Sequence, residues 1–358
     1  MSKQFTRRDF LKLGAAAAAA AALAPALRAG ARPPAQVPPP TLPPVAAGGT
    51  LYGRAIHQVT FYEEPKTSAT RLETRARDLG FRILGEVRAP FSAHNDLWYE
   101  TELGFVHSAW VLPVLVYAPQ PFIRDIGTWG FWGEVSQIHT EAYTAPSIQA
   151  GRAYRFYGGS TFHVIEAQED VAGEGWYKVF DDYPPRTRDR FQWVLARDLR
   201  RIPKEEFAPI NPFVGRKRIE IDLSRQLLTC YEGDNAVFVT QTASGRGGKE
   251  TPRGEFVVML KQASRHMSNA PYGDVPAPAA EDLFDLPGIP WVVFFDLLGH
   301  AIHGAYWHND YGIPRSSGCI NVPIAAARFI YLWAHPIGGY EDDFIRADQR
   351  NGTPIIVF

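Results

Sequence analysis

The chain has 358 residues, of which 46% are hydrophobic and 21% charged, and its formal net charge is −1. That length exceeds one ordinary core and predicts two or three domains, while the composition excludes a disordered chain. A charge so near zero gives a nucleic-acid partner no electrostatic support, and 31 glycines and 29 prolines among many Val, Phe, Tyr and Trp residues point to a β-rich, turn-rich protein.

Residues 1–31 are expected to lie outside the fold. "TRRDFLK", from Thr6 to Lys12, sets two arginines ahead of an alanine-dominated run from Leu13 to Ala24, and "AGA" at 29–31 offers a small-residue cleavage site. A positive n-region, a short apolar h-region and such a site make a secretory signal. The run is short for a transmembrane span, with an uncleaved anchor as the alternative. The paired arginines resemble a twin-arginine signal, which implies export to the cell envelope. No cysteine follows the run, which argues against a bacterial lipid anchor. Residues 32–49 belong to a proline-rich spacer, extended and without a core.

Residues 50 to about 205 contain an internal repeat. Tyr62-x-x-Pro65 matches Tyr143-x-x-Pro146 at an offset of 81, and "FRILGE" at Phe81 matches "FHVIEA" at Phe162 at the same offset. "WYE" at Trp98 then matches "WYK" at Trp176, and "GFVHSAWVLPV" matches "QWVLARDLRRI" after the loop "DDYPPRTRDR". Each copy reads as four or five short strands, which predicts two small barrels at 50–120 and 132–205. The order of Tyr-x-x-Pro, apolar strand, Trp-Tyr and Gly-Phe-Val resembles bacterial SH3-like domains. That resemblance implies either binding to cell-wall polymer or a purely architectural role.

A bridge, "FAPINPFVGRK", leads into the last domain, 217–358. "RIEIDLSRQ", "LLTCYE" and "AVFVTQTAS" read as strands, because Ile219, Ile221 and Leu223 alternate with polar residues. "GRGGKETPRGEF" is a glycine-rich loop without the GK[ST] ending of a phosphate cradle. Residues 262–290 show no clear period and read as a long loop. "PWVVFFDLLGHAIHGA" returns to strands, "IAAARFIYLWAH" is the one clear helix, and "TPIIVF" closes as a strand.

Cys319 is one of two cysteines and sits in "RSSGCINV". Cys230 falls in a strand, where a small buried hydrophobe is the plain expectation; one disulfide between the two is the alternative. His303 lies 16 residues before Cys319. A free thiol has a pKa near about 8.5, and an imidazole within reach can take its proton and later protonate a leaving amine. Gly318 allows a sharp turn, and the Gly318 and Cys319 N–H groups are candidate oxyanion donors. The following helix is expected to lower the thiol pKa through its dipole. A zinc set of His300, His303, His308 and Cys319 is disfavoured, since an odd spacing in a strand turns His300 and His303 to opposite faces.

From about Lys217 onward the chain resembles the YkuD-type L,D-transpeptidase catalytic domain. The family pattern is a histidine, a spacer of roughly 15 residues, then [Ser/Thr]-His-Gly-Cys-apolar-[Asn/Arg]. This sequence supplies His303, Ser316, Gly318, Cys319, Ile320 and Asn321, with "TPRGEF", "HGAYWHNDYG" and "GTPIIVF" as further matches. The resemblance implies a mainly β fold with one or two helices, two SH3-like barrels preceding it, and no metal or organic cofactor. Its implied partners are peptidoglycan stem peptides, with carbapenem-type compounds as inhibitors. It implies Cys319 as nucleophile, His303 as base and then acid, and the Gly304 carbonyl as the group that orients the ring. Ser316, Ser317 and Gly318 would surround the substrate. Tyr306 and Trp307 are candidates for the groove wall, with rim packing as the alternative. Asn321 either binds a substrate carboxylate or caps the helix. Ser317 departs from the pattern, which has histidine there; His308 compensates only if its loop folds back.

Overall fold

The computed structural model describes residues 48–182, 191–269, 283–347 and 350–358. The signal, the spacer up to residue 47 and most of the "DDYPPRTRDR" loop fall outside them.

The first unit comprises β1 (Gly49–Ala55), β2 (Val59–Tyr62), β3 (Arg71–Arg75), β4 (Gly80–Arg88), β5 (Leu97–Thr101), β6 (Gly104–His107) and β7 (Val111–Tyr117). The second comprises β8 (Phe131–Val135), β9 (His139–Tyr143), β10 (Arg152–Tyr157), β11 (Thr161–Glu169), β12 (Gly175–Phe180), β13 (Phe191–Leu195) and β14 (Leu199–Arg201). Their sheets run β3-β2-β6-β5-β4-β1-β7 and β10-β9-β13-β12-β11-β8-β14, which is one order used twice. Register repeats too. Tyr62 pairs with Arg71 and Tyr143 with Arg152, and the ladder slips between Ile83 and Gly85 in one copy and between Val164 and Glu166 in the other. Each unit thus holds seven strands where the sequence pattern suggested four or five. The strands that pattern hides are short or polar: β3 reads Arg-Leu-Glu-Thr-Arg and buries no residue fully, so it carries no alternating apolar signal.

The last domain has two five-stranded sheets. One holds β15 (Lys217–Asp222), β16 (Leu227–Glu232), β17 (Asn235–Gln241), β18 (Gly254–Val257) and β24 (Pro354–Val357), ordered β17-β16-β15-β24-β18. The other holds β19 (Leu260–Ser268), β20 (Asp285–Phe294), β21 (Ala301–Gly304), β22 (Ile320–Val322) and β23 (Ile345–Arg346), ordered β22-β21-β20-β19-β23. The expected loop at 262–290 is therefore corrected: its two ends are long antiparallel strands, paired from Leu260–Phe294 to Ser268–Asp285. Periodicity failed there because β19 buries polar side chains. Lys261, Gln262 and His266 are all nearly inaccessible, and β20 contains Pro287, Gly288 and Pro290.

Helix α1 (Ile324–Trp333) packs its buried Ala327, Ile330 and Tyr331 against this sheet. Its last carbonyls lack intrahelical partners and are met by two buried lysines. Lys261 Nζ donates to Tyr331 O and Ala334 O, both at 2.7 Å, and Lys217 Nζ to Trp333 O at 2.7 Å.

The units share cores. Phe131, Trp132 and Phe162 of the second unit are continuous with Ile219, Trp291 and Ile330 of the last domain. Leu112 and Val114 of the first unit pack with Ile289, Val292 and Tyr306. Strand β11 is also tied to β19 by hydrogen bonds, Thr161 Oγ1 to Ala263 O at 2.6 Å and Ser264 Oγ to Thr161 O at 2.5 Å.

Candidate active site

Strands β21 and β22 run parallel with Ile302 opposite Ile320, His303 opposite Asn321 and Gly304 opposite Val322. Ile302 and Ile320 both enter the core, with no exposed surface. Side chains alternate along a strand, so His303, Cys319 and Asn321 project to the opposite face. On that face Cys319 packs in the cluster that contains Ala301, Tyr306 and Trp307.

His303 is buried, and its Nδ1 lies 3.1 Å from Gly304 O. A carbonyl only accepts, so Nδ1 carries the ring proton and Nε2 keeps its lone pair. Burial pulls the His303 pKa down to about 4, against a smaller upward effect of the Gly304 carbonyl.

Cys319 is half-buried and free, with Sγ 3.8 Å from Gly299 O. Burial pushes its thiol up to about 11; the Ala301 backbone N–H opposes this and the Asp296 charge adds to it. The expected lowering by the helix dipole does not prevail: β22 and Pro323 intervene before α1 begins at Ile324, and desolvation dominates. Cys230 is also free, fully buried in β16, and its thiol is held well above the ordinary range by burial.

The turn before Cys319 is tightly bonded. Ser316 Oγ accepts from Gly318 N at 3.0 Å and donates to Cys319 O at 2.5 Å. The Gly318 N–H, a candidate oxyanion donor, is thus engaged within the turn. Thr251 Oγ1 donates to Gly318 O at 2.8 Å and accepts from Gly245 N at 2.9 Å. The glycine-rich loop folds over this turn, with Arg246 N bonded to Ser316 O at 3.0 Å. Gly245 permits that fold, since a Cβ there would sit 2.1 Å from Lys249 O. Ser317 is exposed.

His308 does fold back. Asn321 Nδ2 donates to its Nε2 at 3.0 Å, so the His308 ring proton sits on Nδ1. Burial pulls His308 down to about 3, assisted by the Arg315 charge. Among the described residues, His308 Nδ1 and Asn321 Oδ1 are buried without a hydrogen-bond partner. Tyr306 is interior packing: its OH donates to Pro287 O at 2.7 Å, its ring stacks on Tyr157, and its carbonyl accepts from the buried Arg54. Trp307 is half-buried with its ring 5.7 Å from that of His303.

The loop between His303 and Cys319 is held by the first unit. His94 Nε2 lies 3.0 Å from Asp310 Oδ1, Asn95 Nδ2 donates to the same oxygen at 3.3 Å, and Arg315 donates to Asp310 Oδ2. Asn309 Nδ2 donates to Tyr99 OH at 2.9 Å. A cavity of about 290 Å³, lined by Arg54, Arg155, Tyr157, Asp285 and Trp307, opens where all three units meet. Sequence reading missed Thr251, Asp296, Asp310 and the contacts of His94. Thr251 lies in the quoted "TPRGEF" string and Asp310 in "HGAYWHNDYG"; Asp296 and His94 carry no local signal.

Residues 216–357 match the YkuD family, the L,D-transpeptidase catalytic domain, and residues 4–24 match the twin-arginine translocation pathway signal sequence. No curated protein matches the chain. Among solved structures, a mutant Enterococcus faecium L,D-transpeptidase is similar at 22% identity over 41% of this chain, with a TM-score of 0.30. An L,D-transpeptidase from Xylanimonas cellulosilytica shares 24% identity over 40% of this chain, with a TM-score of 0.28. L,D-transpeptidase 3 from Mycobacterium tuberculosis, solved with a faropenem-derived adduct, shares 20% identity over 47% of this chain and 72% of its own, with a TM-score of 0.30. The chain spans 51% of the Enterococcus faecium structure and 60% of the Xylanimonas one.

Proposed function

We propose that this chain, whose residues 216–357 match an L,D-transpeptidase catalytic domain and whose residues 4–24 match a twin-arginine signal, is an exported cysteine acyltransferase of peptidoglycan stem peptides. The observation that carries the reading is the tautomer of His303: Gly304 O holds the Nδ1 proton, and Nε2 is left with a lone pair on the face shared with Cys319.

In this reading Nε2 takes the thiol proton as Sγ attacks the carbonyl carbon of the third residue of a stem tetrapeptide, in the amide that joins it to the terminal D-residue. The tetrahedral intermediate collapses, the C–N bond breaks, and the imidazolium protonates the departing D-residue. An amine on a second stem then attacks the thioester and gives a proton to Nε2. The C–S bond breaks, the thiolate is reprotonated, and a 3→3 cross-link results. The Cys319 N–H serves the oxyanion, joined by the Gly318 N–H once it turns from Ser316 Oγ. Trp307 forms the groove wall beside His303. With the thiol raised and the imidazole lowered, the resting pair is neutral, so proton transfer is coupled to substrate binding.

The two N-terminal units, read as SH3-like, act first as a scaffold for the loop at 305–315. The shared cores and the His94–Asp310 contact support this role. Wall polymer is their proposed second ligand, tested by pelleting with insoluble wall. The reaction is tested by following release of the terminal D-residue from a tetrapeptide by mass spectrometry, with and without an amine acceptor. Release with a cross-linked product supports transfer. Release alone assigns hydrolysis, and neither outcome from folded protein overturns the reading.

A further inference from the structure

The motif of the active centre lacks an imidazole at position 317, yet an imidazole reaches the nucleophile turn from elsewhere. His300 precedes β21 by one residue. Its Nδ1 is hydrogen-bonded to Asp296 Oδ2, while Asp296 Oδ1 accepts from the backbone N–H of His300 at 2.9 Å and of Leu298 at 3.0 Å. The carboxylate only accepts, so the ring proton is on Nδ1 and the Cδ2–Nε2 edge is turned away from Asp296. That edge lies on Gly318: a Cβ built there would sit 2.6 Å from both Cδ2 and Nε2 of His300. Gly318 has φ +114°, so glycine is required twice over, by its backbone conformation and by the ring upon it. The ring also stacks on Phe295 at 6.3 Å. Cys319 Sγ in turn faces Gly299 O, the carbonyl of the residue before His300.

We propose that His300, held by Asp296, is the second imidazole of this reaction centre, a positioning residue that presses on the Gly318–Cys319 turn from the loop leading into β21, in place of a histidine at position 317. The exposed Ser317 hydroxyl has neither the reach nor the proton chemistry of an imidazole, and the ring of His300 contacts the very residue that a histidine at 317 would adjoin. The inference rests on the acyl-transfer reading for its consequence, and on geometry alone for its placement.

Five proteins test it: wild type, His300→Gln, Ser317→His, the double variant, and Asp296→Asn as a milder probe that keeps the side chain's shape. The first readout is the rate and pH profile of Cys319 alkylation by iodoacetamide, which needs no transpeptidase activity. The second is kcat and KM for acylation by a stem tetrapeptide. His300→Gln is expected to lower kcat by about tenfold or more with KM little changed, the scale of losing one supporting group in an acyl-transfer site. It is also expected to shift the alkylation profile. In the double variant Ser317→His should restore most of the loss, the non-additivity expected of two groups serving one place. A folded His300→Gln protein with wild-type acylation and alkylation overturns the proposal, as does a loss that Ser317→His leaves unrestored. If wild type forms no acyl-enzyme, the transferase reading fails separately. The alkylation series then decides: a profile unchanged in His300→Gln overturns the positioning role, and a shift reversed by Ser317→His upholds it.

Discussion

His303 stands opposite Asn321 in the parallel ladder of β21 and β22, and Asn321 in turn donates to His308. One register therefore gathers the His303 imidazole, a thiol two residues before Asn321, and the His308 imidazole. It does so with the core residues Ile302 and Ile320 fixing which face each side chain takes. A slip of one residue would turn His303 into the core, so the site is only as secure as that two-strand register.

The two cysteines should behave oppositely. Cys319→Ala is expected to abolish labelling by a carbapenem-type probe, whereas Cys230→Ala should leave labelling intact and lower stability by about 1–2 kcal/mol, as loss of a small buried side chain does. Intact-mass spectrometry and urea unfolding check both. Labelling that survives Cys319→Ala contradicts the assignment.

Thiol reactivity should climb with pH. With the Cys319 thiol at about 11 and His303 at about 4, no thiolate–imidazolium pair exists at rest. Alkylation by iodoacetamide should rise about tenfold per pH unit from pH 7 to 10, because the thiolate is the reactive form. A plateau already reached at pH 6 would show a preformed ion pair instead.

Stability should fall at both ends of the pH range. His303 and His308 have folded values of about 4 and about 3, below the unfolded 6.5, because burial disfavours their cations. The unfolded chain then binds protons first, so their stabilisation is complete above about pH 6.5 and is lost as pH falls toward 4 and 3. His266 is the reverse. Burial opposes its charge, but Asp181 and Asp285 at 2.7 and 2.6 Å outweigh that and raise it to about 9. Its contribution is complete below about pH 6.5 and lost as pH rises through 9. Urea midpoints across pH 4–10 should flatten on the acid limb in His308→Gln and on the alkaline limb in His266→Gln. An unchanged curve in either variant rejects that attribution.

The first unit should govern the active-site loop. Replacing His94 and Asn95 by alanine removes two bonds to Asp310, each a charge-assisted contact of about 1–2 kcal/mol. Faster amide exchange at 308–315 and a several-fold lower acylation rate are expected. Unchanged exchange there would leave the first unit as mere attachment.

Much of this was legible in the sequence, for physical reasons. Ile219 and Ile221 alternate with polar neighbours along β15, buried and half-buried in turn, and the amphipathic run at 324–333 is a helix. The paired Tyr-x-x-Pro stretches share register as well as residues. What stayed hidden depends on distance along the chain or on polar burial. Strand β19 conceals its period behind buried Lys261 and His266, whose partners lie on other elements. His94 meets Asp310 across 216 residues, and no local pattern marks such a pair. His300 reads, by strand alternation, only as a poor joint metal ligand with His303. It approaches through Gly318 rather than alongside His303, which alternation alone cannot reveal.

The most direct test of the central claim is intact-mass and peptide-mass spectrometry of purified protein mixed with a stem tetrapeptide, then chased with an amine acceptor. The account predicts release of the terminal D-residue, a tripeptide thioester on Cys319 that is absent in Cys319→Ala, and its discharge onto the amine. Folded wild-type protein that acquires no mass on Cys319 and releases no D-residue would contradict it.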